Sequence, residues 1–440
     1  MRPLSLIISL PLLVAAGASP AAPVLTGKAA FGDWTKDAPG VVRHLTLDDL
    51  PPPYASKSAA NNAQPRKRPD NLVPKVPDGF KVDLVASGIR NPRAMRVAPD
   101  GDLFVADSEA NEVLVFHFGA AGAKPTESVF ASGLHQPYGI NFYPADNPKW
   151  VYVANSNSVV RFPYGSGDLK AAGKPETIVP SIPSNHHWTR DIVFSPDGKT
   201  MYLSVGSGSN VAEDMSKTPP GGVAAWAKDH PLGEAWGSEE RRAAIWSMTP
   251  EGKDVKIYAT GLRNCAGITV QPETGNVWCA VNERDELGDN VPFEYATHVE
   301  QGAWYGWPWY YLGNHEDPRH KGERPDLAGK ATVPDVLMQA HSAPLNIVFY
   351  EGDQFGPDYK GDAFVALHGS WNRGSRTGYK VVLLPFKNGK PTGDYEDFMT
   401  GMVLGANDVW GRPVGLEVGK DGSLFVSEDG NGTIWRISKQ

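Results

Sequence analysis

Leu103-Phe-Val-Ala-Asp107, Val151-Tyr-Val-Ala-Asn155, Met201-Tyr-Leu-Ser-Val205, Val277-Trp-Cys-Ala-Val281, Ala363-Phe-Val-Ala-Leu367 and Leu424-Phe-Val-Ser-Glu428 are six versions of one short segment. Each is mostly β-branched, aromatic or small apolar, and of strand rather than helix length. A second apolar strand runs upstream of each, marked by Met95, Ile140, Ile192, Ile268, Ile347 and Leu416. Turns such as Pro99-Asp100-Gly101, Pro196-Asp197-Gly198 and Lys420-Asp421-Gly422 separate the two, as hairpins require. The first three copies start at 103, 151 and 201, so 48 and 50 residues apart, the length of one four-stranded propeller blade. Later spacings are longer, which places insertions in later blades. Six such units closed in a ring make an all-β, six-bladed β-propeller, whose closure protects its strand edges. A β-sandwich or two smaller barrels is the competing architecture.

Composition agrees. The 440 residues hold 47 Gly and 38 Pro, a turn-rich makeup that speaks against a helical bundle. Lys plus Arg total 42 against 50 Asp plus Glu, a net charge of −8, so no nucleic-acid partner is expected. Two cysteines cannot staple a disulfide-dense scaffold. Arg2, the apolar run from Leu4 to Ala15 and the small residues Gly17 to Ala22 read as an export signal, too short to span a bilayer. The expected division is a signal peptide over 1–22, an irregular Pro- and Asn-rich arm over 23–76, and the propeller over 77–440. The mature protein is then periplasmic or secreted, without stable membrane insertion.

Aligning the blades on their first strands gathers residues at one mouth of the ring. Five places upstream of the marker lie Arg90, His135, His187, Arg263, Ser342 and Gly411. Four places upstream lie Asn91, Gln136, Trp188, Asn264, Ala343 and Arg412, and two upstream Arg93 and Arg190 add charge. A basic ring in an acidic protein suits a small ligand with several carboxylates, since guanidinium binds carboxylate bidentately. Ion pairing between blades is the structural alternative for each arginine.

Gly261-Leu-Arg-Asn264, Asn282-Glu-Arg-Asp-Glu-Leu-Gly-Asp289 and Trp304-Tyr-Gly-Trp-Pro308 resemble the pyrroloquinoline quinone (PQQ)-dependent soluble sugar dehydrogenases. His187-Trp-Thr-Arg190 and Ala366-Leu-His-Gly-Ser-Trp-Asn-Arg373 look most like the sorbosone and pyranose dehydrogenase branch. The resemblance implies a flat tricarboxylated quinone over the mouth, with Ca²⁺ beside it. It implies that Arg263 and Asn264 contact the cofactor, and that Arg412 binds a carboxylate. Arg373 lies near a cofactor-binding position and Arg93 matches an active-site arginine. Arg284 and Asp285 fall where backbone carbonyls hold Ca²⁺, with the Asp285 carboxylate a further ligand. His187 and His368 are the candidate catalytic histidines beside Arg263, with His186 and His341 as alternatives. Trp371 or Trp188 stacks on cofactor or sugar. The sequence has no Cys-x-x-Cys-His, so electrons pass to a separate acceptor: a cytochrome, a quinone or a dye.

Three features stay open at this level. Cys265 and Cys279, on consecutive strands of one blade, form either a bridge or two thiols. The aromatic run Trp304 to Tyr311 is a sugar-stacking wall or a packed loop. Substrate choice rests in the insertions over 206–245 and 286–345. Two other functions compete: a Ca²⁺-dependent, lactonase-like hydrolase, which needs inward carboxylates at the channel centre, and a non-catalytic propeller that binds a partner.

Overall fold

The computed structural model describes residues 23–119 and 123–440, so the expected signal peptide over 1–22 lies outside the described residues. Six four-stranded antiparallel blades appear in sequence order. The first is built from Pro92–Val97, Leu103–Asp107, Glu112–His117 and Thr126–Ala131. The second holds Gly139–Tyr143, Trp150–Ala154, Val159–Pro163 and Glu176–Val179. The third holds Ile192–Phe194, Met201–Val205, Ala244–Met248 and Lys256–Thr260. The fourth holds Cys265–Val270, Val277–Val281, Glu294–His298 and Val336–Met338. The fifth is made of Pro344–Phe349, Ala363–Leu367, Lys380–Leu384 and Asp394–Met399. The sixth combines Pro413–Val418, Leu424–Glu428 and Thr433–Lys439 with Phe80–Ser87 from the other end of the chain. Each of the six quoted segments is the second strand of its blade.

The first strands of neighbouring blades touch in a closed circuit around the axis. Close approach demands residues without a β-carbon there. A Cβ on Gly267 would meet the Asn346 Cα at 2.4 Å, and one on Gly415 the Arg93 carbonyl oxygen at 2.3 Å. The axis itself is filled: Ala94, Tyr138, Ala266, Leu345 and Val414 pack together with Trp188, one side chain from each blade. The hole expected from the repeat is therefore floored by an apolar plug, which leaves no place there for a ring of carboxylates.

The arm makes short ladders with the propeller. Val42–His44 pairs with Asp394–Met399 and adds a fifth strand to the fifth blade, and Gln64–Pro65 pairs with Asp408–Val409. Asp37 and Arg43 of the arm close a buried ionic square with Lys380 and Asp397. Arm residues also grip the mouth loops: Tyr54 N–H donates to the Leu287 carbonyl and Asn61 N–H to that of Trp371.

Candidate active site

The inner strands of blades one, four, five and six shift register at their mouth ends. A bulge of this kind bends the strand and re-aims the residues just before it. Arg263 with Asn264, Ser342 and Arg412 lie just before such a shift, and Arg93 lies within one, so four of the six blades present a mouth residue this way.

A cavity of about 290 Å³ lies at this mouth, lined by His186, His187, Arg263, Asp285 and Trp371, with Asn210, Glu213, Asn282 and Glu286. Trp371 presents its ring, 41% exposed. Asn264 stands beside His187: a Cβ on Gly206 would meet Asn264 Oδ1 at 2.4 Å and His187 Cβ at 2.7 Å. Arg263 spends all its N–H groups within the protein. Its Nε donates to the Asn210 carbonyl, Nη1 to the carbonyls of Asn282 and Glu283, and Nη2 to Asn210 Oδ1 and Asp285 Oδ2. It brings positive charge to the cavity but no free donor. Burial alone would raise the Asp285 carboxyl, yet His341 and Arg263 outweigh it and hold it below its ordinary value. His341 reaches Asp285 Oδ1 at 3.4 Å and the Gly288 carbonyl at 2.9 Å, so it buttresses the cavity wall.

His187 is bonded through Nδ1 to the Ser207 carbonyl at 3.0 Å and Oγ at 2.9 Å. Burial first, then the Arg263 charge, press its pKa well below the usual imidazole value. The ring is therefore neutral at working pH, with Nε2 open toward the cavity.

A second cluster sits across Trp188. The Asp429 carboxylate accepts from Arg93 Nη1 at 2.7 Å, lies 3.0 Å from His368 Nε2 and pairs with Arg412 Nε at 2.8 Å. Burial would raise Asp429, but His368, Arg93 and Arg412 override it and hold it far below the carboxylate range. Burial lowers His368, more than Asp429 raises it. The Arg93 guanidinium lies 5.3 Å over the Trp188 ring, which joins this cluster to the plug and to His187. The basic ring expected from the sequence is thus partly neutralised, Arg263 by Asp285 and Arg93 with Arg412 by Asp429.

Two expected site residues face elsewhere. Arg284 is fully buried and donates to Glu283, Asp317 and the carbonyls of Pro308 and Tyr310, away from the cavity. Its backbone neighbour is also engaged, since the Asp285 carbonyl accepts from Arg319 Nη1 at 2.9 Å. Arg373 ties the arm to the mouth: its donors go to carbonyls of Phe31, Gly32, Asp289 and Ser375 and to Asn290 Oδ1. Arg373 has no donor left for a cofactor, whereas Arg284 is expected to act through its backbone carbonyl, on which its side-chain direction does not bear. Trp304, Trp307, Trp309, Tyr310 and Tyr311 are all buried, so that run is a packed loop. Its Trp307 indole N–H donates to the Asn210 carbonyl and fixes the partner of Arg263. Cys265 and Cys279 are bridged.

Asn210, Glu213, Ser207 and Asp429 escaped the sequence reading. The first three lie in the third-blade insertion, where the repeat gives no register. Asp429 follows the sixth copy of the strand segment directly, a position that the alignment on the first strands did not cover.

A second, larger cavity of about 440 Å³ opens at the far ends of the inner strands, around Arg96 and Glu417, and contains none of these residues.

The TrAA12-like family model matches residues 74–303 and 316–440. The chain belongs to the TrAA12-like family. A curated relative, the PQQ-dependent pyranose dehydrogenase of Coprinopsis cinerea, is 24% identical over 83% of this chain, which spans only 54% of that protein's length. The holo PQQ domain of pyranose dehydrogenase from Coprinopsis cinerea superposes with a TM-score of 0.69 at 22% identity, covering 86% of this chain and all of that one. A calcium structure of the Trichoderma reesei family AA12 enzyme gives 0.68 at 20% identity, with 83% and 97% covered. Among these family structures the six-bladed propeller is the shared frame.

Proposed function

We propose that the protein is a PQQ-dependent oxidoreductase that oxidises a sugar or sugar aldehyde and passes the electrons to a separate acceptor. The observation that carries this reading is the convergence of His187, Arg263 and the exposed Trp371 ring in one mouth cavity. The name of the Coprinopsis cinerea relative supports it. The mouth suits a flat polyanion. Trp371 offers a face, Arg412 keeps part of its guanidinium exposed, and Arg93 Nε and Ser342 Oγ are buried without a protein partner. When bound, PQQ supplies a quinone that accepts two electrons with the carbon-bound hydrogen. The chain supplies the rest. His187 Nε2 accepts the hydroxyl proton, while Arg263 places fixed positive charge at the cavity wall, where developing anionic charge is stabilised. The apolar plug beneath and the packed tryptophan loop beside the cavity limit water.

Calcium is part of the proposal with a lesser protein contribution. Among the described residues no three acidic, imidazole or thiolate groups are gathered to hold a metal. The chain's ligands to a calcium ion here would be the Asp285 carboxylate and the backbone carbonyls of Arg284 and Asp285, with cofactor and solvent oxygens completing the set. Export is likewise proposed, supported by the Cys265–Cys279 bridge, which persists in oxidising compartments.

The test adds PQQ and Ca²⁺ to the apoprotein, follows quenching of tryptophan fluorescence, and then follows dye reduction with a panel of aldoses and sugar aldehydes. Saturable quenching and turnover with at least one sugar are expected. No binding and no turnover across the panel overturns the reading.

A further inference from the structure

His187 matters only if the correct ring nitrogen is bare. The Ser207 Oγ–H is committed to the Ser209 carbonyl at 2.7 Å. Both oxygens that face His187 Nδ1, the Ser207 carbonyl and Oγ, can therefore only accept. Nδ1 must carry the proton, and Nε2 is left as the acceptor toward the cavity. This assignment holds only while the Ser207 carbonyl stays where it is.

What holds that carbonyl is Arg242. The residue is 2% exposed and does not line the cavity. Its Nη2 donates to the Ser207 carbonyl at 2.8 Å and to the Asn185 carbonyl at 2.6 Å, with the His187 carbonyl at 3.4 Å. Its Nε donates to the Gly206 carbonyl at 2.9 Å and Nη1 to Asn185 Oδ1. One planar guanidinium thus pins both the segment that carries His187 and the turn that orients it. A rigid fork suits this task better than a flexible ammonium. Glu239 braces the same turn, accepting from Gly208 N–H at 2.7 Å, and Ser207 N–H reaches the Arg263 carbonyl at 2.8 Å.

We propose that Arg242 is a positioning residue of the site: by clamping the Ser207 and Asn185 carbonyls it fixes His187 as the Nδ1–H tautomer, with Nε2 free to take the substrate proton. This rests on the reading of His187 as the base. The charged and titratable groups around the ring are His186 and Arg190 from its own loop, Glu213, Glu239 and Arg242 from the insertion, and Arg263 and Asp285 across the cavity. Arg242 adds to the cationic side of that set.

The experiment uses the full chain with ¹⁵N-labelled histidine and no cofactor. Long-range proton–nitrogen spectra separate the two tautomers, and a His187→Asn variant assigns the signal among the 11 histidines. The parent is expected to show Nδ1–H. Arg242→Gln is expected to give a mixture of tautomers with a higher titration midpoint, because a nearby cation is lost. Ser207→Ala keeps the clamped carbonyl and is expected to remain Nδ1–H. With PQQ and sugar, Arg242→Gln should lower kcat about tenfold with KM nearly unchanged, the mark of a loss felt in the transition state. An Arg242→Gln spectrum identical to the parent's overturns the proposal, as does conversion of the tautomer by Ser207→Ala alone. If Arg242→Gln does not fold, the Ser207→Ala spectrum decides. A tautomer that moves as stated in a protein that oxidises no sugar leaves the positioning role standing and removes the enzyme reading instead.

Discussion

At the scale of single residues, Asp429 carries more of the site than any arginine the sequence singled out. One carboxylate, 4% exposed, faces Arg93, Arg412 and His368. Removing one member of such a buried set leaves the others uncompensated, at a cost of roughly 3 kcal/mol. Asp429→Asn should therefore lower the unfolding free energy by about that much at pH 7, measured in urea. The sign of its pH dependence follows from a folded pKa held below the unfolded one. The stabilisation is present above about pH 4, the unfolded value, and fades as pH falls. Parent and variant should converge in acid; a gap that stays constant down to pH 2.5 contradicts the role. His298 behaves in the opposite sense. Asp335 bonded to Nδ1 at 2.7 Å outweighs burial and, with Glu300 at 3.0 Å from Nε2, pushes it up to about 9. Its contribution is complete below about pH 6.5 and is lost as pH rises toward 9. The parent's melting temperature should fall over that window, and His298→Gln should lack that part of the fall.

At the scale of elements, the fourth blade shows how much the sequence reveals. Its first two strands were legible because apolar alternation and the Glu273-Thr-Gly-Asn276 turn act locally. The pairing of Cys265 with Cys279 was not, because it needs register, and the observed register shift between Cys265 and Gly267 is a tertiary fact. The same distinction runs through the site. Arg263, His187 and Trp371 come to one cavity because the blade repeat fixes where their backbones lie. Arg284 and Arg373 share that loop region, but the direction of a long side chain is settled by the carbonyls within reach, which no spacing encodes. The bridge closes a 14-residue separation two residues beyond Arg263. Chain-entropy arguments give a loop of this size about 3 kcal/mol. A Cys265→Ala/Cys279→Ala double variant should lose that amount in urea unfolding; a change under about 0.5 kcal/mol would show that the blade's packing, not the bridge, sets its stability.

At the scale of the whole molecule, the ring is closed by strands from opposite ends of the sequence. Phe80–Ser87 pairs with Thr433–Lys439 from Phe80↔Lys439 to Ser87↔Thr433. Phe80 also packs edge-on against Phe355, Tyr359 and Phe398, so the closing strand joins the sixth blade to the fifth. The sequence placed this stretch inside the propeller, but not its pairing with the last strand, since a partner more than 340 residues away leaves no local pattern. The arm proper binds differently, through short ladders and the buried pairs of Asp37 and Arg43. Without it, Lys380 and Asp397 still have each other at 2.7 Å. Two truncations separate the roles. A chain beginning at Pro77 loses the arm and keeps the closing strand. It should fold cooperatively and keep the parent's oligomeric state, with a lower melting temperature and weaker PQQ binding in the quenching assay, because Trp371 and Leu287 lose the arm's hydrogen bonds. A chain beginning at Ile89 loses the closing strand as well. It bares the edge of Thr433–Lys439, an open template for pairing with other chains, and should aggregate on size-exclusion chromatography. If both truncations behave alike, closure does not depend on Phe80–Ser87, and the arm and closing strand act as one unit.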